Sequence, residues 1–204
     1  RDLGVELVVG GESERQAESF GELLSTFPIA MMVIFALLAI PLKSYFQPLI
    51  IMSVIPFGAI GAIFGHFIMG ADLVFFSVLG IIALSGVVVN ASLVLVVSVN
   101  RLREEGMGMV EAVSTAGMLR FRPIFLTSLT TFIGLVPLMI TANPATFFVV
   151  PMAISLAWGV LFATVITLFL VPCLYLILHD FMGHTDSDEQ RAAAYKHQRP
   201  VIEG

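Results

Sequence analysis

Charges punctuate this chain at long intervals. Glu22 and Lys43 enclose 20 uncharged residues, Lys43 and Asp72 enclose 28, Asp72 and Arg101 another 28, and Arg122 and Asp180 enclose 57. A helix needs about 20 apolar residues to cross the hydrocarbon core of a bilayer. The first three runs therefore predict one span each and the last predicts two, broken at "TANPATFF", where Asn143-Pro144 is a turn signal. The pattern predicts five membrane helices, over about residues 23–42, 48–69, 74–99, 123–142 and 149–178.

The segments between and beyond the runs have a different texture. Residues 101–121 are too polar to span, but Met109, Val110, Val113 and Met118 make a loose helical stripe. They predict a short amphipathic helix along the membrane surface. Near the start, "GVELVVGG" reads as one short strand, Val5 to Val9, without a partner strand. An isolated strand is not stable, so the expectation is that the chain is the C-terminal piece of a longer polypeptide. The polar stretch 181–204 predicts a disordered tail. Its His184 and His197 read as solvated side chains rather than metal ligands.

Composition agrees with the pattern. Hydrophobic residues make up 58% and charged residues 12%, and mean hydropathy is +0.99. Soluble domains average about 25% charged residues, so lipid must be the solvent for much of this surface. The net charge of −5 carries little information because the charges are crowded into a few segments. Nothing indicates a nucleic-acid partner. The single cysteine, Cys173, allows no disulfide or thiolate metal site within the chain, and it reads as a small apolar packing residue.

Cytoplasmic loops collect Lys and Arg. Lys43 follows the first span, Arg101, Arg103, Arg120 and Arg122 lie between the third and fourth, and Arg191, Lys196 and Arg199 follow the fifth. The connections near Asp72 and Asn143 carry neither residue type. All basic connections thus fall on one side, which predicts an outside N-terminus and a cytoplasmic C-terminus.

Inside the spans, Gly58, Gly61 and Gly65 place small residues on the second helix, with Gly61 and Gly65 in GxxxG spacing. That spacing lets another helix approach closely. Prolines 28, 41, 56, 137, 151 and 172 predict helices that bend and need neighbours to satisfy freed carbonyls. Polar side chains at membrane depth are costly unless paired. They include Asn90, Thr127, Ser128, Thr130, Thr131, Thr164, Thr167 and, near an outer end, His66. For the threonines the plain alternative is a bond to the carbonyls of their own helix. For Asn90 it is an interhelical hydrogen bond, and for His66 a packing role. No Asp, Glu, Lys or Arg lies at the centre of a span, and no catalytic constellation is visible, so an enzyme is the least favoured class and none is expected.

The order of several motifs is specific. "VGGESERQAESFGELL", "LKSYFQPLIIMSVIPFGAIGA", "GIIALSGVVVNASLVLVVSVNRLREEG", "RFRPIFLTSLTTFIGLVPL" and "LFATVITLFLVPCLYLIL" follow one another. Together, over about residues 4–180, they resemble the C-terminal region of resistance-nodulation-division (RND) efflux transporters, closest to the AcrB-like exporters of hydrophobic and amphiphilic compounds. The resemblance implies an all-α integral membrane bundle similar to the last five of twelve helices, the eighth to the twelfth. Residues 1–21, strand plus helix, would end the periplasmic porter domain, 22–180 would be the transmembrane domain, and 101–121 would lie in the cytoplasm. It further implies a homotrimer in the bacterial inner membrane, a periplasmic adaptor protein, an outer-membrane channel, and export driven by proton entry without a cofactor.

The same resemblance aligns Asn90 with a lysine that in family members pairs with two aspartates on the fourth helix, outside this chain. Many relatives carry two asparagines here; this sequence has Asn90-Ala91, and Val97 stands where an acidic residue is common. Arg120 and Thr127 match the arginine and threonine of the proton relay. Asn90 offers a dipole where lysine offers a charge, so its aspartate partners would titrate higher than beside a lysine. Two other readings stay open: a membrane remnant that packs or binds a partner without transporting, and an exporter of the same fold for lipids or metal ions.

Overall fold

The computed structural model describes residues 11–140 and 148–181. The expected strand Val5–Val9, the Asn143-Pro144 turn, and residues 182–204 with His184 and His197 lie outside the described residues. Everything regular within them is helical: α1 (Glu12–Leu42), α2 (Phe46–Met52), α3 (Ile55–Met69), α4 (Phe75–Glu104), α5 (Met109–Ile140) and α6 (Val149–Phe181). In lipid no water satisfies the backbone, so apolar runs of this length close their hydrogen bonds along a helix. Among the described residues five stretches are long and apolar enough to cross a membrane: Arg15–Leu42, Phe46–Met69, Phe75–Glu104, Met109–Ile140 and Val149–Phe181.

Two boundaries differ from the sequence pattern. The second span is interrupted at Ser53-Val54, giving α2 and α3. Pro56 lacks the N–H that would bond the Met52 carbonyl, and its ring crowds that carbonyl. The Ser53 hydroxyl donates to the Ile50 carbonyl at 2.7 Å and helps cover the break. The second difference concerns residues 101–121. They are not a separate helix: residues 101–104 finish α4 and residues 109–121 open α5, which continues through Pro123. The turn shrinks to a few residues because Gly106 adopts a positive φ of 97°. There the Met107 N–H donates to the Leu102 carbonyl at 3.1 Å. Extending a formed helix costs far less than nucleating a new one.

At the other end of the bundle, α3 stops at Gly70, whose φ of 62° turns the chain. The Ala71 N–H then donates to the His66 carbonyl at 3.0 Å. Helix α6 is the hub and packs against α3, α4 and α5. Helix α1 stands apart, packing chiefly against α2 and α4, and 6% of its most apolar stretch is buried.

The seam between α3 and α6 is set by missing side chains. A Cβ at Gly61 would lie 2.4 Å from the Phe162 Cβ, and one at Gly65 would lie 2.3 Å from the Trp158 Cβ. Gly58 is looser, 3.1 Å from Leu84 Cδ2. The three glycines are buried. On α6, Gly159 meets Leu84, and a Cβ there would sit 2.2 Å from Leu84 Cδ2.

Candidate functional site

Helix α4 has two faces. Leu84, Val88, Ser92, Leu95, Val96 and Val99 are buried. On the opposite side Gly86, Val87, Asn90, Val94, Val97 and Arg101 form an exposed stripe at helical spacing. Asn90 sits in the middle of that stripe. Its amide has no hydrogen-bond partner among the described residues, so it does not tie this bundle together.

Helix α5 presents Thr127, Thr130, Thr131 and Gly134 as exposed positions. The hydroxyls use their protons on their own helix. Thr127 Oγ1 donates toward the Pro123 and Ile124 carbonyls at 2.6 and 3.0 Å. Thr131 Oγ1 donates to the Thr127 carbonyl at 2.8 Å. Their oxygen lone pairs remain available as acceptors.

Arg120 fixes the register between the two helices. Its Nε donates to Ser98 Oγ at 2.6 Å, and Ser98 Oγ donates onward to the Val94 carbonyl at 2.9 Å. Asn90 lies eight residues before Ser98, about 12 Å along an α-helix, and Thr127 lies seven residues after Arg120, about 10 Å along. A short turn joins α4 to α5, so the helices run in opposite directions. From the Arg120–Ser98 bond, Asn90 and Thr127 therefore lie at similar depth, both on exposed faces.

Three polar clusters were not legible in the sequence. Near the basic end, Gln47 of α2, Asn100 of α4 and Tyr175 of α6 form a connected set. Asn100 Nδ2 donates to Gln47 Oε1 at 2.8 Å, and Gln47 Nε2 donates to Asn100 Oδ1 at 3.2 Å and to the Tyr175 hydroxyl at 2.9 Å. The Tyr175 hydroxyl in turn donates to Asn100 Oδ1. Near the opposite end His66 is buried, with Nδ1 3.0 Å from the Ala62 carbonyl and Nε2 2.8 Å from Ser77 Oγ. A carbonyl only accepts, so Nδ1 carries the proton and Nε2 accepts from Ser77. Ser77 Oγ also accepts the Val74 N–H at 3.1 Å, and Ser155 Oγ donates to the Ser77 carbonyl at 2.9 Å. This cluster ties α3, α4 and α6 together. Between α5 and α6, Ser128 and Thr164 share a hydrogen bond at 2.5 Å. Spacing alone could have flagged Gln47, Asn100 and Tyr175 as polar groups near span ends, but not that they meet. Among the described residues, no three His, Cys, Asp or Glu side chains come close enough to hold a metal ion.

Five long apolar stretches packed through α6, with Asn90 and the α5 threonines on exposed faces, define part of a polytopic membrane protein. The chain belongs to the AcrB/AcrD/AcrF family, whose model matches residues 3–179, and it corresponds to the C-terminal membrane region of an RND transporter. It is similar to a crystal structure of a heavy metal efflux pump, crystal form II, with a TM-score of 0.75 and 28% identity. Crystal form I of a heavy metal efflux pump matches with a TM-score of 0.71 and 26% identity. Each match covers 83% of this chain and 17% of the pump chain, so the chain spans about a sixth of the proteins it resembles.

Proposed function

We propose that this chain supplies the last five membrane helices of a proton-driven exporter of amphiphilic compounds in a bacterial inner membrane. In this reading the N-terminus faces the periplasm and residues after α6 face the cytoplasm. The working unit is a homotrimer, joined by a periplasmic adaptor protein and an outer-membrane channel. Residues 1–21 close the porter domain, and the remainder of the pump contributes the fourth-helix aspartates.

The observation that carries this reading is the open stripe. Asn90 is exposed, without a hydrogen-bond partner among the described residues, and level with Thr127 on the neighbouring helix, so a helix laid between the two would reach both. A protonated carboxyl there donates to Asn90 Oδ1 or Thr127 Oγ1. Once ionised, it accepts from Asn90 Nδ2 instead. Asn90 and Thr127 thus act as hydrogen-bond switches that follow the proton without carrying it. Arg120, held by Ser98, is a fixed positive charge nearer the basic end. Asn90 adds no charge of its own, so the aspartates titrate higher than they would beside a lysine.

A second reading, export of metal ions, is favoured by the resemblance to a heavy metal efflux pump. Both are tested in a pump-deficient bacterial strain that expresses the full-length transporter containing this chain. Raised tolerance to cationic drugs and detergents, without raised tolerance to divalent or monovalent metals, supports the amphiphile reading; the reverse supports the metal reading. Asn90→Leu abolishes or strongly weakens export of either substrate while leaving the amount of protein in the membrane unchanged. Undiminished tolerance in that variant would sink the role given to Asn90.

A further inference from the structure

At the basic end of the bundle a cavity of about 580 Å³ opens between the end of α1, the start of α2, the end of α4 and α6. Lys43, Arg101 and Arg103 line it, with Glu104 as the carboxylate on its wall. The three cations and one carboxylate leave its lining net positive by two. Arg101 is engaged by Glu105 at 3.2 Å, a solvent-exposed pair, and Arg103 lies against the Tyr175 hydroxyl. The hydrogen-bonded Gln47–Asn100–Tyr175 cluster supplies polar lining.

A second hollow of about 520 Å³ runs along the last turns of α1, walled by Phe35, Ala36, Ala39 and Ile40. The two hollows share Lys43. Helix α1 ends there because Lys43 takes a left-handed conformation (φ 48°, ψ 33°), the only non-glycine to do so among the described residues. The turn places Lys43 where a cationic polar cavity meets an apolar groove.

We propose that this paired site binds one anionic phospholipid, with its phosphate among Lys43, Arg101 and Arg103 and an acyl chain along the Phe35–Ile40 groove. A free phosphate would use the cavity and leave the groove without a role; an amphiphile with a phosphate head uses both. Basic pockets between membrane helices take anionic head groups in this way. The site adjoins the basic end of the Asn90 stripe, with Val97 and Arg101 common to both, and does not depend on the transport reading.

The test uses the 204-residue chain in mild detergent, titrated with short-chain phosphatidylglycerol or phosphatidylcholine and read by native mass spectrometry. Phosphatidylglycerol is retained as one molecule and phosphatidylcholine is not. Lys43→Gln and Arg101→Gln each weaken retention about fivefold, the worth of one cation near an anionic lipid. Arg122→Gln, an exposed cation off the cavity, leaves retention unchanged. Ala39→Trp fills the groove and abolishes lipid retention. The proposal is overturned if Arg122→Gln weakens binding as much as Lys43→Gln, which would mean diffuse surface attraction. It is also overturned if phosphatidylcholine binds equally, or if inorganic phosphate displaces the lipid at matching concentration.

Discussion

Replacing Gly65 by alanine asks one helix to move off another. The new Cβ would sit 2.3 Å from the Trp158 Cβ, 2.4 Å from its Cγ and 2.6 Å from its Cδ1. Carbon atoms in contact rest about 3.5–4.0 Å apart, so α3 and α6 must separate locally by more than about 1 Å. The first clash involves Trp158 Cβ, which is bonded to the backbone, so a rotamer change cannot relieve it. Overpacking of this kind costs about 1–3 kcal/mol, and three short contacts put Gly65→Ala at the upper end. Alanine returns about 1 kcal/mol as the better helix former. The net expectation is a loss of about 2 kcal/mol. Gly117→Ala on α5 is the control, because nothing lies within 4 Å of its would-be Cβ. There only the propensity gain of about 0.5–1 kcal/mol survives. The assay is reversible unfolding in mixed dodecyl maltoside and SDS micelles, followed by emission of Trp158, the one tryptophan in the chain. The probe sits in the contact being strained, so its emission should also shift before unfolding. Equal stability of the Gly65→Ala and Gly117→Ala variants would refute the α3–α6 seam.

Removing the hydroxyl in Ser98→Ala leaves Arg120 Nε without its acceptor, and a double-mutant cycle with Arg120→Gln should return a coupling of about 1.5–3 kcal/mol, as for hydrogen bonds to charged groups; additive effects would contradict the bond. Tyr175→Phe strips the shared hydroxyl from Gln47 and Asn100 and should lower stability in the same micelle titration by about 1–3 kcal/mol, with no change expected if the cluster does not form. Pro56→Ala restores the missing donor to the Met52 carbonyl and should fuse α2 and α3. Amide hydrogen exchange would then show residue 56 protected, and rapid exchange there would show that proline is not what breaks the span.

Each of these outcomes separates what the chain's order dictates from what its packing adds. The number of spans followed from charge spacing, because a charge inside hydrocarbon is costly and 20-residue gaps leave no other solvent than lipid. The glycines of α3 were visible as a spacing, but spacing names no partner. The choice of Trp158 and Phe162 on α6 is a fact of packing. Proline positions were equally visible and equally ambiguous. Pro56 breaks its helix while Pro123 is carried through α5, since the outcome depends on how neighbouring groups absorb the lost hydrogen bond.

The candidate site divides in the same way. Asn90 and Thr127 stand out from sequence because polar groups within apolar runs are few and expensive, whereas Arg120 stood out only through the resemblance to the AcrB-like exporters. Sequence alone could not say which way Asn90 points. An amide in a helix can cross-link its own bundle or face outward, and only the packing of α4 against α5 and α6 turns it to the open side. Ser98 looked like one more small hydroxyl until the register placed it under Arg120. Gln47, Asn100 and Tyr175 are 53 and 75 residues apart in turn, and no local pattern links them. The sequence by itself determined the solvent, the helices and the scarcity of polar groups, because these follow from transfer energies residue by residue. The tertiary structure decided the partners, because hydrogen bonds and steric contacts between distant residues exist only once the helices have chosen their faces.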